Sequence, residues 1–215
     1  MKKMKKIILM IVVVTFMANY SSAQNNSDFR TKLRFGLKAG ANYSNVYDTK
    51  GEAFNTDARF GLAAGAFVAI PINKFIGIQP EILFSQKGFQ GSGILLGSTY
   101  NFKRTLNFID VPILFALKPS EFITLLAGPQ FSYLLKQKDV FTSSSTSYNQ
   151  EQEFKNDNVR KNILCFTGGI DVTLNNIVLG ARAGWDVQNN NGDGTSTTPR
   201  YKNVWYQVTF GFIFH

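Results

Sequence analysis

The sequence predicts an all-β fold: an eight-stranded antiparallel up-and-down transmembrane β-barrel with short periplasmic turns and long extracellular loops. Three features predict it: an export signal, segments that alternate apolar and polar residues, and connections that alternate between short and long. Outer-membrane barrels have an even number of strands of about ten residues, with short turns at one end and long loops at the other. A length of 215 residues is that of a single domain.

The N-terminus is typical of a cleaved secretory signal peptide. Four lysines near the start are followed by an apolar run over 7–17 and by small residues at 21–23. This order predicts cleavage between Ala23 and Gln24. The run is shorter than the ~20 residues of a membrane-spanning helix. The expected organisation is a signal peptide at 1–23, a short periplasmic N-terminal segment at 24–33 and an outer-membrane β-barrel domain at 34–215.

Eight segments of the expected mature chain alternate with period two, the periodicity of a β-strand. In the second segment, for example, Phe60, Leu62 and Val68 would share one face of the strand. The eight predicted strands are 34–43, 59–70, 75–87, 106–117, 122–135, 161–174, 177–186 and 202–214. Three predicted connections are tight, namely 71–74, 118–121 and 175–176. Four are long, namely 44–58, 88–105, 136–160 and 187–201.

A soluble lipocalin-like barrel would show the same alternation, but with its apolar faces turned inward. Glycine and other small residues are common on the polar faces, which suits the narrow lumen of an eight-stranded barrel. The apolar faces end in aromatic residues, as the interfacial girdle of a membrane barrel would. These aromatic residues are Tyr43, Phe84, Tyr133, Trp185 and Tyr206. The membrane barrel is therefore favoured over the soluble ligand carrier.

Four of the strands carry motifs that can be compared with a known family. They are FGLKAGAN at 35–42, GIQPEILFSQKG at 77–88, FIDVPIL at 108–114 and AGPQFSYLL at 127–135. Taken in this order, they resemble the PorT-like outer-membrane β-barrel proteins of Bacteroidetes. The resemblance covers essentially the whole mature chain and implies a porin-like barrel in the outer membrane of a Gram-negative bacterium. It does not imply the namesake's role in secretion.

Strand parity places eight charged residues in the lumen, four basic and four acidic. They are Arg34, Lys38, Glu81, Lys87, Asp110, Asp171, Arg182 and Asp186. Such a barrel has room inside only for side chains, and buried charges need partners. The prediction is a structural network of ion pairs. A proton or ion path, or a catalytic carboxylate pair such as Glu81 and Asp110, is the alternative.

Residue content argues against an enzyme. The one histidine is His215, so Ser-His-Asp chemistry and multi-histidine zinc sites are not expected. Cys165 has lumen parity and, without a histidine partner, is expected to be an inert wall residue. A calcium-like loop at 189–194 has Asn189 and Arg200 where an EF-hand needs Asp and Glu. We therefore predict no catalytic, cofactor or metal site.

The expected mature chain has a net charge of +5, from 19 basic and 14 acidic residues, with no basic run beyond the signal. Nucleic acid is therefore not an expected partner. The expected partners are outer-membrane lipid, the barrel assembly machinery and envelope proteins contacted through the long loops. The favoured function is a structural or interaction barrel, such as an accessory subunit of an envelope or secretion complex. A small-solute channel or transport-related porin-like protein is the alternative, and a soluble lipocalin-like carrier is less favoured.

Overall fold

The computed structural model describes residues 29–47, 56–95, 98–143, 147–152, 160–190 and 201–214. The signal segment, its cleavage position and His215 lie outside these residues, as does most of the calcium-like loop. A short 3-10 helix, Phe29–Thr31, precedes nine strands in the described part. The strands are β1 (Arg34–Tyr47), β2 (Asp57–Pro71), β3 (Ile76–Leu95), β4 (Ser98–Leu117), β5 (Ile123–Ser143), β6 (Ser147–Gln152), β7 (Asn162–Leu174), β8 (Ile177–Asp186) and β9 (Lys202–Phe214).

Eight of these strands form a closed antiparallel ring. Their order is β4-β3-β2-β1-β9-β8-β7-β5, and pairing of β4 with β5 closes the ring. The short strand β6 pairs with the end of β5 and is not a member of the ring. The predicted eight-stranded up-and-down barrel is therefore confirmed.

The alternation of each strand separates an apolar outside from a mostly polar inside. Phe60 and Val208 point outward and are 71% and 67% exposed, whereas Asn42 and Ser85 point inward and are fully buried. Apolar side chains in such numbers on the outer surface are favourable in lipid and not in water. The soluble lipocalin-like interpretation is therefore wrong, because its apolar faces would have to point inward. Within the described chain, no helix is long and apolar enough to span a membrane.

Exposed aromatic side chains lie toward both ends of the apolar surface, with Phe75, Phe122 and Phe214 at the periplasmic end. All five of the predicted girdle residues are exposed. Tyr43 lies beside Phe60 with a ring-centre distance of 4.9 Å, and Phe166 lies beside Trp185 at 5.3 Å. Aromatic rings at this level suit the membrane–water interface.

Two of the predicted long loops are wrong, because strands continue through them. The β3–β4 ladder runs without a break from Lys87↔Leu106 to Leu95↔Ser98, across most of 88–105. Likewise β5 extends to Ser143 and pairs with β6, which lies inside the predicted loop 136–160. The outward residues of β4 in this extension, Asn107, Thr105 and Lys103, are polar, so the apolar alternation that revealed the other strands is missing. We call this four-stranded extension (88–95, 98–107, 136–143 and 147–152) the projecting sheet.

Candidate functional site

The lumen is filled by inward-pointing side chains at three levels. Near the periplasmic end lie Phe67, Val178 and Ile213. The middle level surrounds Trp205, which is 1% exposed. The outer mouth is filled by Phe89, Tyr201 and their neighbours. Together these levels make the lumen the core of the protein.

The eight charged residues predicted for the lumen all lie on inward faces and are buried. They form two groups rather than one. The first contains Arg34, Lys38, Glu81, Asp171 and Arg182. The second contains Lys87, Asp110 and Asp186.

In the first group, one carboxylate connects three strands. Glu81 of β3 forms a short ion pair with Lys38 of β1. The same carboxylate lies 3.5 Å from a guanidinium nitrogen of Arg182 on β8. Arg182 also donates two hydrogen bonds, of 2.6 and 2.9 Å, to Asp171 of β7. Gln79 donates to Glu81 at 2.9 Å and to Asp171 at 3.3 Å, so the two carboxylates share this donor.

The second group surrounds Trp205. The Lys87 ammonium lies 2.9 Å from Asp110 and 3.6 Å from the centre of the Trp205 ring, a cation–π distance. The Lys87–Asp110 contact is a buried ion pair. Asp186 accepts hydrogen bonds from the backbone N–H of Asn203 at 2.9 Å and from the Cys165 thiol at 3.2 Å. Glu81 and Asp110 are thus paired with different lysines and do not face each other as a catalytic carboxylate pair would.

Cys165 is enclosed by this second group. It is 1% exposed, and its sulfur lies 3.3 Å from the Ser132 hydroxyl. Reactivity of a thiol requires access as well as thiolate character. In the part of the chain that the structure describes, no three His, Cys, Asp or Glu residues are grouped as a metal site would need.

Burial of Cys165 gives a simple prediction. A maleimide reagent should leave the thiol unlabelled in the folded barrel and label it fully after denaturation, because the chain has one cysteine. Gel-shift or mass measurement of the adduct would check this result. A Ser132→Cys/Cys165→Ser variant moves the thiol to a neighbouring inward site and should behave alike. Rapid labelling of Cys165 in the folded protein would contradict a filled lumen.

A further ion pair at the outer mouth was not found from the sequence. Arg104 and Asp139 face each other across β4 and β5 with hydrogen bonds of 2.8 and 2.7 Å. Arg104 also donates to the Tyr201 hydroxyl at 3.1 Å. Burial lowers the pKa of the Arg104 guanidinium, but its bonds with Asp139 and Tyr201 outweigh burial and raise that pKa. Both charged residues fall in predicted loops, so strand parity could not be applied to them.

The periplasmic end is covered by the segment before β1. Lys118, buried in the turn after β4, donates a hydrogen bond of 3.1 Å to the backbone carbonyl of Arg30. The guanidinium of Arg30 lies 5.6 Å from the centre of the Phe75 ring. These contacts hold the 3-10 helix against the turns.

A closed eight-stranded barrel with an apolar outside can be compared with known proteins. Residues 22–190 match the family model for the outer membrane protein beta-barrel domain. The chain belongs to this family. No curated protein sequence matches it.

Solved structures of outer-membrane barrels are similar to this chain. Ail, the attachment invasion locus protein of Yersinia pestis, has a TM-score of 0.50 at 15% identity, covering 85% of this chain and 99% of Ail. Neisserial surface protein A has a TM-score of 0.45 at 9% identity, with 83% and 96% covered. OprG of Pseudomonas aeruginosa has a TM-score of 0.38 at 15% identity, with 85% and 94% covered. At these identities, the likeness to Ail concerns the fold alone.

Proposed function

We propose that this outer-membrane barrel acts by contact with other molecules, as a structural or interaction protein, and not as a solute channel. The observation that carries the proposal is the filled lumen. Trp205, Phe67 and Tyr201 occupy three levels of it, and ion pairs cross it between them. An eight-stranded barrel has no spare width for water once such side chains are inside. The eight lumen charges then serve to hold the barrel shut.

The surface offered to partners is the projecting sheet, together with the outer connections. Below the projecting sheet, the outward residues of β4 are apolar, as at Ile113 and Phe115. Within the sheet, the outward residues of β4 are Asn107, Thr105 and Lys103. This change marks where the wall leaves the lipid. The projecting sheet therefore lies on the outer side of the membrane. It is the surface through which the barrel binds an envelope or secretion complex as an accessory subunit.

We propose the following location and partners for the protein. The chain is exported with a signal peptide cleaved before Gln24, inserted by the barrel assembly machinery and surrounded by outer-membrane lipid. The motifs at 77–88 and 108–114 support membership of the PorT-like group of Bacteroidetes. We propose no enzymatic activity, no cofactor and no nucleic-acid partner for it.

Conductance in planar lipid bilayers tests the proposal. The refolded chain should give no steady open-channel current, while a known open porin in the same bilayer gives one. Insertion must be shown independently, by boiling-dependent mobility of the recovered protein on a gel. Steady unitary current from inserted barrels would overturn the proposal and support the small-solute channel, which the polar lining of the lumen would then explain.

A further inference from the structure

Three of the four motifs quoted from the sequence contain a proline, and the fold brings these prolines together. Pro80, Pro112 and Pro129 lie on β3, β4 and β5, which are adjacent in the ring. In the strand register Pro80 faces Ile113, the residue after Pro112, and Pro112 faces Gln130, the residue after Pro129. The three prolines therefore form a row across three neighbouring strands. Each lacks the N–H that a sheet interior requires.

Each proline coincides with a break in a different strand pairing. Between β2 and β3, pairing stops at Phe67↔Glu81 and resumes at Ile70↔Ile78. Between β3 and β4, it stops at Pro80↔Ile113 and resumes at Leu83↔Asp110. Between β4 and β5, it stops at Pro112↔Gln130 and resumes at Phe115↔Ala127. Three consecutive pairings therefore each lack two residue pairs.

The other five pairings of the ring have no such break. From Arg34↔Ala69 to Ser44↔Arg59, β1 and β2 pair at every residue. The pairings β1–β9, β5–β7, β7–β8 and β8–β9 are equally continuous. Two further irregularities, between Ala58 and Ala63 and between Asn107 and Phe108, occur toward the outer end. Breaks at the level of the proline row are thus confined to one side of the wall.

The proline row lies within the lipid-facing part of the barrel. Ile82, Ile113 and Phe131 flank it on the outside and are all exposed to lipid. In hydrocarbon, water cannot replace a missing backbone hydrogen bond. The wall therefore lacks backbone hydrogen bonds at the proline row, where water cannot replace them.

Ion pairs and one cation–π contact connect this side to the continuous side across the lumen. Glu81 lies on β3 at the edge of the first break, and it pairs with Lys38 of β1 and Arg182 of β8. Lys87 of β3 rests on the ring of Trp205 on β9. Both contacts start on β3 and end on strands whose pairings are unbroken.

We propose that β3 and β4, bounded by the interrupted β2–β3 and β4–β5 pairings and interrupted between each other as well, form a flexible panel in the barrel wall. Glu81 and Lys87 are its latches, because they fasten the panel to the rigid strands β1, β8 and β9. When a latch is released, β3 and β4 move while the other six strands of the ring keep their pairing. Since β3 and β4 continue into the projecting sheet, this motion reaches the outer surface.

Amide hydrogen exchange, measured by NMR in lipid nanodiscs, tests the panel. The reporters are Val68, Glu81 and Ile113, whose N–H groups point across the three breaks, and the reference amides are Leu179, Ala181 and Val208 of β8 and β9. Because opening exposes amides locally, the reporters should exchange ~10-fold or more faster than the reference amides. Equal exchange in the two sets would overturn the proposal.

Two variants separate the panel from general instability. Glu81→Gln removes the latch charge and should speed exchange at the three reporters by several fold while the reference amides stay unchanged. Pro129→Val restores one donor opposite Ile113 and should slow exchange at Ile113, leaving Val68 unchanged. Folding of both variants is verified by boiling-dependent gel mobility. If Glu81→Gln speeds both sets equally, or if Pro129→Val leaves exchange at Ile113 unchanged, the panel assignment is wrong.

Discussion

Replacing Glu81 with alanine is expected to lower the free energy of unfolding by about 3–5 kcal/mol, the usual cost of removing one partner from a buried ion pair. The carboxylate is shared by Lys38 and Arg182, and all three side chains are at most 5% exposed. After the substitution two cations remain, with Asp171 as the carboxylate bonded to Arg182. Urea unfolding in lipid vesicles, followed by tryptophan fluorescence, measures the effect.

Glu121→Ala is the matched control for this measurement. Glu121 lies 3.9 Å from Arg30 and its side chain is 50% exposed. An exposed ion pair of this kind contributes about 0–1 kcal/mol, so the control should unfold almost like the parent chain. If Glu81→Ala lost no more stability than Glu121→Ala, the lumen ion pairs would not be holding the barrel closed.

Trp205→Ala is expected to cost a similar amount, about 3–5 kcal/mol, because it removes a large side chain from a packed interior. The indole fills the middle of the lumen against Phe108, Leu134 and Ile163. It also lies beneath the Lys87 ammonium, so the substitution removes a cation–π contact as well. The same urea titration applies, with boiling-dependent gel mobility as the second readout.

Trp185→Ala provides the comparison, because Trp185 faces outward and is 41% exposed. Lipid can fill the space that its indole leaves, so no cavity forms. The free energy of unfolding should therefore fall clearly less than it does for Trp205→Ala. Equal losses for the two tryptophans would mean that the middle of the lumen is loosely packed. It would also remove the main support for a filled lumen.

The sequence predicts the strands correctly where they face lipid and misses them beyond the lipid boundary. Where one face of a strand meets lipid, as at Val208 and Phe210, period-two alternation is strong and the strand is found. Above the boundary the outward face is no longer apolar, and Lys103 and Arg104 look like loop residues although they are paired strand residues. The extensions of β3, β4 and β5 were missed for this reason.

The charged residues show a second limit of sequence reasoning. Parity predicts that Glu81 points inward, but it does not predict which cations it meets. Lys38 is 43 positions away in sequence, and the contact depends on how the strands are staggered around the ring. Parity also places Trp205 inside, where its size rather than its charge matters, and a search for charged residues overlooks it.

The projecting sheet makes the barrel different on its two sides. Beyond the lipid, β3, β4, β5 and β6 continue, whereas β8 ends at Asp186 and β7 begins at Asn162. A barrel whose strands all end at the same height looks the same from every direction in the plane of the membrane. This barrel does not, because its projecting sheet extends from the side formed by β3, β4 and β5. Any molecule bound to the sheet therefore fixes the rotation of the barrel about the membrane normal. It also determines which lipid-facing strands are turned toward neighbouring proteins.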